Sequence, residues 1–459
     1  MSIAWWAGGL LIALRALLGL CLAAYCAYAF LGVWAARRWH RARRLLDPTW
    51  TPPVTILKPV RDVDAEAYEN FASFCRLDYP ADRYQLLFGA LDPADPALDL
   101  ARRLQAEFPH LDIGIIAGGP ASRCGPNLKV CNLAAMLPAA KHELLALCDS
   151  DMRVRPDYLR RIVAPFQRGP NPPVCGPHPL PLSHAAGEGR GPHLRPLPQE
   201  EGRGEGEAGS PPSLQGKGAG GLGVGLVTCP YRGCRVGSFA AALEALGIGA
   251  DFIPSALVSR ALEGVAFAFG STILLPRAIL EELGGFDALR DELADDFRLG
   301  EGAKRAGYEV VLSDYVVDDV LGQERFGPMW ARRLRWARTV RACRPAGYAG
   351  SFVTHGFALS SLFLCAAGFS PFGWAVWGGV LGVRLATALA ISCLYTQDPN
   401  IARFLPLLPI SDLLSFTLYL ASFCGNQIVW RGERFRLLPG GKLTRLETPQ
   451  AEAARQKEL

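Results

Sequence analysis

The sequence is poor in the markers of redox proteins, nucleotide-driven motors and nucleic-acid binders. Its 13 cysteines are scattered and none stands at C-x-x-C spacing, which excludes a thioredoxin-type pair and a cysteine-based zinc ribbon. They read as small buried hydrophobes of a reducing compartment. No G-x-x-x-x-G-K-[ST] run occurs, and the G-x-G-like stretch Gly221, Gly223 and Gly225 closes a low-complexity segment instead of opening a helix. P-loop and dinucleotide-binding readings fall away with it. Charge of one sign is scarce too: 48 Lys+Arg stand against 43 Asp+Glu, a net +5 over 459 residues. That is no footprint for nucleic acid, and the arginines cluster beside apolar runs, where they orient a chain in a membrane.

What the sequence has in quantity is apolar surface. With 50% hydrophobic and 20% charged residues, it is too apolar for disorder and too charged for a bare membrane bundle, so a folded domain plus membrane spans is expected. Residues 3–36 carry one charge, Arg15, and Ala16–Ala36 is long enough to cross a hydrocarbon core. Arg37, Arg38, Arg41, Arg43 and Arg44 follow at once. The positive-inside rule puts the next residues in the cytoplasm, and a basic cluster placed after the apolar run argues against a cleaved signal peptide. Beyond Pro345 the chain is apolar again, with Arg384 the single charge of 345–397 and Asp412 that of 404–430. Three segments, Ser351–Phe369, Trp374–Tyr395 and Leu405–Trp430, are expected to reach the membrane. Three crossings would leave the basic tail Arg431, Arg434, Arg436 and Lys442 outside, so two crossings and one interfacial or re-entrant segment are predicted.

Between about Thr51 and Asp319 the pattern changes. VTILKP, YQLLFGAL, DIGIIAG, LLALCD, VGLVTCP, FGSTILLP and YEVVLSD are short β-rich runs separated by amphipathic stretches, the pattern of an α/β domain with a largely parallel sheet. A Gly/Pro-rich stretch, 169–225, interrupts it and is too polar to bury a core, so it reads as a disordered insert. The expected organisation is an anchor at 1–44, a cytoplasmic domain at 50–345 containing that insert, a membrane region at 346–430 and a basic tail at 431–459.

In open α/β sheets ligands sit beyond the carboxyl ends of the strands, and acids gather there: Asp92 with Asp95 in LDPADPA, and Asp149 with Asp151 in CDSD. Asp295 and Asp296 follow in DELADDF, and RRLRW supplies Arg332, Arg335 and Trp336 on one helical face. In this order, ahead of terminal spans, they resemble the D, D, D and (Q/R)-x-x-R-W signature of membrane-bound GT-A glycosyltransferases. TILKPVRDVD, FCRLDYP, NLKVCNL, LCDSDMRVRPDYL, VTCPYRG and DDFRLGEGAKRAGYEV extend the likeness to the ceramide glucosyltransferase family over about residues 50–345. Short loops and the WRGERFRLLPGGK tail are similar to its bacterial branch associated with hopanoid biosynthesis.

The resemblance implies a GT-A domain flanked by transmembrane helices in a bacterial inner membrane. It also implies inverting transfer from a UDP-sugar to a lipid. UDP-N-acetylglucosamine with a hopanoid polyol such as bacteriohopanetetrol follows from the branch, and UDP-glucose with ceramide from the wider family. A processive polysaccharide synthase shares the signature but needs a translocation channel, for which these spans leave little room. A non-catalytic scaffold recruiting partners through the insert has no need of the acids.

Within that frame each residue type has its chemistry. A diphosphate leaving group needs its charge neutralised, and Asp149 and Asp151 suit Mg²⁺ or Mn²⁺. Both carboxylates face one side only if the chain turns at that strand end. Asp95, by its spacing in DPA, and Asp92 beside it would meet the nucleobase or ribose. Lys58 and Lys129 can reach phosphate oxygens as point charges, with Asn127 and Asn132 as amide partners. Asp296 is the expected general base and Asp295 a neighbour that raises its proton affinity, although a helix start opposes that rise. Arg332 and Arg335 would face the diphosphate, with Trp336 covering sugar or acceptor.

Overall fold

The computed structural model describes residues 3–42, 49–118, 124–168, 222–430 and 433–446. The predicted disordered stretch therefore lies outside the described residues, apart from its last four positions, where the first strand beyond it already begins at Val224.

Each of the seven β-rich runs forms a strand, and those in VTILKP, YQLLFGA, LLAL and ILLP are buried at every residue, as strands covered on both faces are. In chain order the strands are β1 (Val54–Pro59), β2 (Tyr84–Ala90), β3 (Asp112–Ala117), β4 (Leu144–Leu147), β5 (Met152–Arg153), β6 (Val224–Thr228), β7 (Tyr231–Cys234), β8 (Ile273–Pro276), β9 (Glu309–Leu312) and β10 (Val317–Val320). Seven of them make one sheet in the order β3-β2-β1-β4-β8-β6-β9. Every pairing in it is parallel except those of β8, which runs against β4 and β6. The entry to β8 thus lies at the same end of the sheet as the exits of β1, β2 and β4. A smaller sheet, β5-β10-β7, stands beside it.

Alternate residues of each strand feed two cores. Ile56, Leu86 and Phe88 pack with Phe71, Phe74 and Tyr158 on one face. Leu57, Leu87 and Leu145 pack on the other with Met136, Leu299 and, from the first apolar helix, Ala35, Ala36 and Trp39. That helix, Ile3–Arg41, is therefore part of the domain's core. Its Trp39 is fully buried and donates to the Ser313 carbonyl at 3.1 Å.

Among the described residues, four helices are long and apolar enough to cross a membrane: Gly8–Arg41, Phe239–Glu263, Pro371–Thr396 and Leu405–Ser422. A fifth segment, Pro345–Thr354 with Gly356–Ala366, is bent by 58°, a shape suited to a broken span or a re-entrant loop. The second helix lies in residues that the sequence pattern places in the α/β domain and not among the segments expected to reach the membrane. It is 83% buried against the rest of the protein. Tyr28 of the first helix meets Ser255 at 2.8 Å, and Asp251 pairs with Arg384. Arg384 also binds Asp412 at 2.6 Å and the Ala250 carbonyl at 2.8 Å. The two lone charges of the C-terminal apolar stretches are thus partners, as charges remote from water must be.

The last apolar segment ends sooner than its hydropathy suggests. Its helix stops at Ser422, Gly425 takes φ +94°, and β11 (Gln427–Trp430), β12 (Glu433–Leu437) and β13 (Leu443–Arg445) form an antiparallel meander. Residues 427–430, expected as span end, and 433–445, expected as part of the basic tail, pair because QIVW and ERFRL alternate with period two. The meander clamps the loop before Asp295: the Leu443 amide donates to Asp291 O at 2.7 Å, and the Leu293 amide to Gly441 O at 3.0 Å.

Candidate active site

Three chain segments converge at the carboxyl end of the sheet. Asn127 caps the helix Leu128–Met136, its side-chain oxygen accepting from the amides of Lys129 and Val130. Its side-chain nitrogen donates to Glu292 O at 2.8 Å and to Asp295 at 3.2 Å. The cap therefore ties the helix bearing Lys129 to the start of the helix Asp295–Arg305. Lys129 lies between two acids, 2.6 Å from Asp149 and 3.6 Å from Asp295. Burial alone would weaken its proton affinity, but Asp149, Asp295 and Asp296 outweigh it and hold the ammonium firmly charged.

Asp296 accepts from the Gly270 amide at 3.0 Å and from the Phe297 amide at 2.7 Å. Burial, then the neighbouring Asp295 charge, push its carboxyl up to about 6, against Lys129 and the Phe297 amide. Burial and like charge thus prevail over Lys129 and the Phe297 amide. Gly270, at the entry to β8, accepts from the Asp149 amide at 3.3 Å as well. One glycine thus fixes the spacing between the CDSD loop and Asp296.

Asp151 lies deeper. Its Oδ1 is buried without a hydrogen-bond partner, and burial followed by the charges of Asp149 and Asp64 pushes its carboxyl up to about 6. Asp319 of β10 is raised too, by burial and then by Asp151. Crowded carboxylates with an orphaned oxygen are a donor set that suits a divalent cation, so Asp149 and Asp151 fit that role. Among the described residues no group of three or more His, Cys, Asp or Glu is arranged to hold a metal, and substrate oxygens would have to complete the shell.

Other expected site residues are committed elsewhere. Lys58 is fully buried, and its ammonium donates to the carbonyls of Asp149 at 2.7 Å and Met152 at 3.5 Å over the Phe74 ring. It supports the CDSD loop from below, with its ammonium committed to those two carbonyls. Lys58→Met is accordingly expected to cost about 1–3 kcal/mol of stability, through two carbonyls left bare. A lower thermal midpoint with unchanged donor affinity checks this, whereas a phosphate contact would give the reverse.

Asp95 accepts from the Asp62 amide at 3.0 and 3.1 Å and from Ala97 at 2.9 Å, so it shapes the loop after β1. Asp92 is exposed and accepts from Ala94 at 2.9 Å. Asn132 donates to Gly89 O at 2.6 Å, tying its helix to β2. Arg332 grips Glu324 at 2.5 and 2.7 Å and Glu244 at 3.1 Å. Arg335 lies over Trp430 at 5.5 Å, and Trp336 beside Arg332 is partly exposed. The two arginines thus face different partners, Arg332 the acids Glu244 and Glu324 and Arg335 the meander. Gly270, Glu244 and Asp319 were not singled out by sequence. Asp319 carried a readable signal, an acid in the apolar run VVDDV, whereas Gly270 carried none.

A mostly parallel sheet with acids crowded at one end, built into one core with apolar helices, defines a GT-A-like transferase domain of a membrane-associated protein. Residues 16–177 and 220–443 match Glycosyl transferase family 21, and the chain belongs to that family of glycosyltransferases. It is similar to ceramide glucosyltransferase 1 of Caenorhabditis elegans, 22% identical over 411 residues, 86% of this chain and 74% of that one. The ceramide glucosyltransferase of Candida albicans is 30% identical over 147 residues, 28% of this chain and 27% of the relative. That match, like the one to Komagataella phaffii at 26%, spans about a quarter of the relative's length. Among solved structures, a mannosyltransferase of Pyrobaculum calidifontis in complex with GDP-Man and Mn²⁺ aligns at 17% identity and TM-score 0.44, covering 89% of this chain and 99% of that one.

Proposed function

We infer that the chain is an inverting glycosyltransferase that moves a sugar from a UDP-sugar to a hydroxyl of a membrane lipid. The observation that carries this is Asp296, a carboxylate of raised basicity held by Gly270 beside Asp149 in a domain whose core includes a membrane helix. The acceptor oxygen attacks the anomeric carbon as Asp296 takes its proton. The bond from that carbon to the diphosphate breaks, its electron pair leaving with UDP. Asp295, held by Asn127, keeps Asp296 basic, and Lys129 holds Asp149 and Asp295 in place. A divalent cation on Asp149 and Asp151 supplies neutralisation of the diphosphate charge when bound.

The finer assignment is UDP-N-acetylglucosamine as donor and a hopanoid polyol as acceptor, at the cytoplasmic face of a bacterial inner membrane. Support for it comes from the tail and short loops of the sequence, and for a lipid acceptor of some kind from family membership. Membranes containing the chain are incubated with labelled UDP-N-acetylglucosamine, Mg²⁺ and a hopanoid polyol extract, in parallel with UDP-glucose and ceramide. Label in a hopanoid lipid is the expected result. Label in ceramide would move the acceptor, and label in polymer or in nothing would overturn lipid transfer.

A further inference from the structure

A cavity of about 280 Å³ opens where the first apolar helix meets the α/β domain. Arg38, Arg161, Arg260 and Lys304 line it, and Trp39 and the edge strand β9 form its wall. Its acids are Glu309 and Asp314, and Asp314 is paired with Arg161, which also binds Asp157 at 2.6 Å. Among the described residues, Arg38, Arg260 and Lys304 have no acidic partner at ion-pair distance; the charge of Arg260 is disfavoured first by its burial and then by Arg38, with Glu309 offsetting part of this. Positive charge in excess of its acids, gathered in a concave site, favours an anion there.

Its depth follows from the helix. The apolar run ends at Ala36, and Arg38 stands two residues on, about 3 Å further along the axis, stacked on Trp34 at 5.5 Å. A tryptophan and an arginine at the end of a span mark the headgroup layer. The cavity is smaller than the roughly 300–1,000 Å³ of pockets for drug-sized ligands, and none of the cleft's acids lines it. A nucleotide sugar is the wrong size and a phosphate ester the right charge.

We propose that this cavity binds the headgroup phosphate of an anionic phospholipid, fixing the height of the catalytic domain on the membrane. The site is independent of the reaction assigned to the cleft. The full chain in detergent is titrated with dioctanoyl-phosphatidylglycerol, dioctanoyl-phosphatidylcholine or inorganic phosphate, and the thermal midpoint and lipid adducts by native mass spectrometry are read. Phosphatidylglycerol is expected to bind and stabilise. Arg260→Gln with Lys304→Gln should weaken it about tenfold or more, the loss of charge-assisted hydrogen bonds, while Arg102→Gln on a distant surface helix changes nothing. Arg38→Gln, an exposed position that folding does not require, should weaken it in the same direction. Equal binding by the variants, or equal protection by phosphatidylcholine, would overturn the proposal. Equal protection by inorganic phosphate would make this a free-anion site and overturn the lipid assignment.

Discussion

Asp296→Asn should lower turnover by about 10²–10⁴-fold, the usual contribution of a positioned general base, and leave the thermal midpoint close to that of the parent. The amide keeps the size of the carboxylate and its oxygen can still accept from the Gly270 amide; only the Phe297 amide loses an acceptor, so the fold should respond little. What is lost is the acceptor of the proton. The pH profile provides an independent check. Burial and Asp295 raise the Asp296 carboxyl to about 6, and only its ionised form takes a proton. Turnover should therefore be flat above pH about 6 and fall about tenfold per unit below it. Removing the like charge with Asp295→Asn eases ionisation of Asp296 and should move the inflection downward. A variant of Asp296 that retains most of its turnover would place the base elsewhere. An inflection that stays put in Asp295→Asn would deny the coupling.

The sheet was legible because its strands are continuous apolar runs, which only a doubly covered parallel sheet requires. The acids were legible as a set, since charged residues at strand ends stand out against those runs. Their division of labour was not. Nothing in TILKPV distinguishes a lysine that meets a phosphate from one that turns beneath the next strand's exit, because that choice is made by β4 lying beside β1. Arg332 shows the same limit. Its partner Glu244 comes from an apolar helix some 90 residues earlier, on the order of the separations that only tertiary packing closes. The helix Phe239–Glu263 was hidden by its setting, an apolar stretch inside a domain already assigned. The meander was hidden by hydropathy, which weighs QIVW as span and ignores its period.

Gly270 is the position where backbone space and chemistry meet most closely, and its φ is not positive, so glycine is needed there for room alone. A Cβ added at Gly270 would stand 2.5 Å from the Asp149 Oδ2 and 3.1 Å from the Lys129 Nζ. The first distance is below any contact that real methyl groups make, so the carboxylate must rotate. It can do so, because the Asp149 side chain is 34% exposed and its backbone is held separately. Gly270→Ala should therefore fold, while the oxygen proposed to meet the cation moves by a large part of an ångström and its pairing with Lys129 loosens. Misplacement on that scale costs on the order of 10²-fold in rate. The loss should appear in turnover, with a higher Mg²⁺ or Mn²⁺ concentration needed for half-maximal activity and a thermal midpoint near that of the parent. A collapse of the midpoint would make Gly270 a packing residue. Unchanged turnover and metal requirement would show that the Oδ2 of Asp149 takes no part in transfer, and would shift the cation's attachment to Asp151, whose buried Oδ1 has no protein partner of its own.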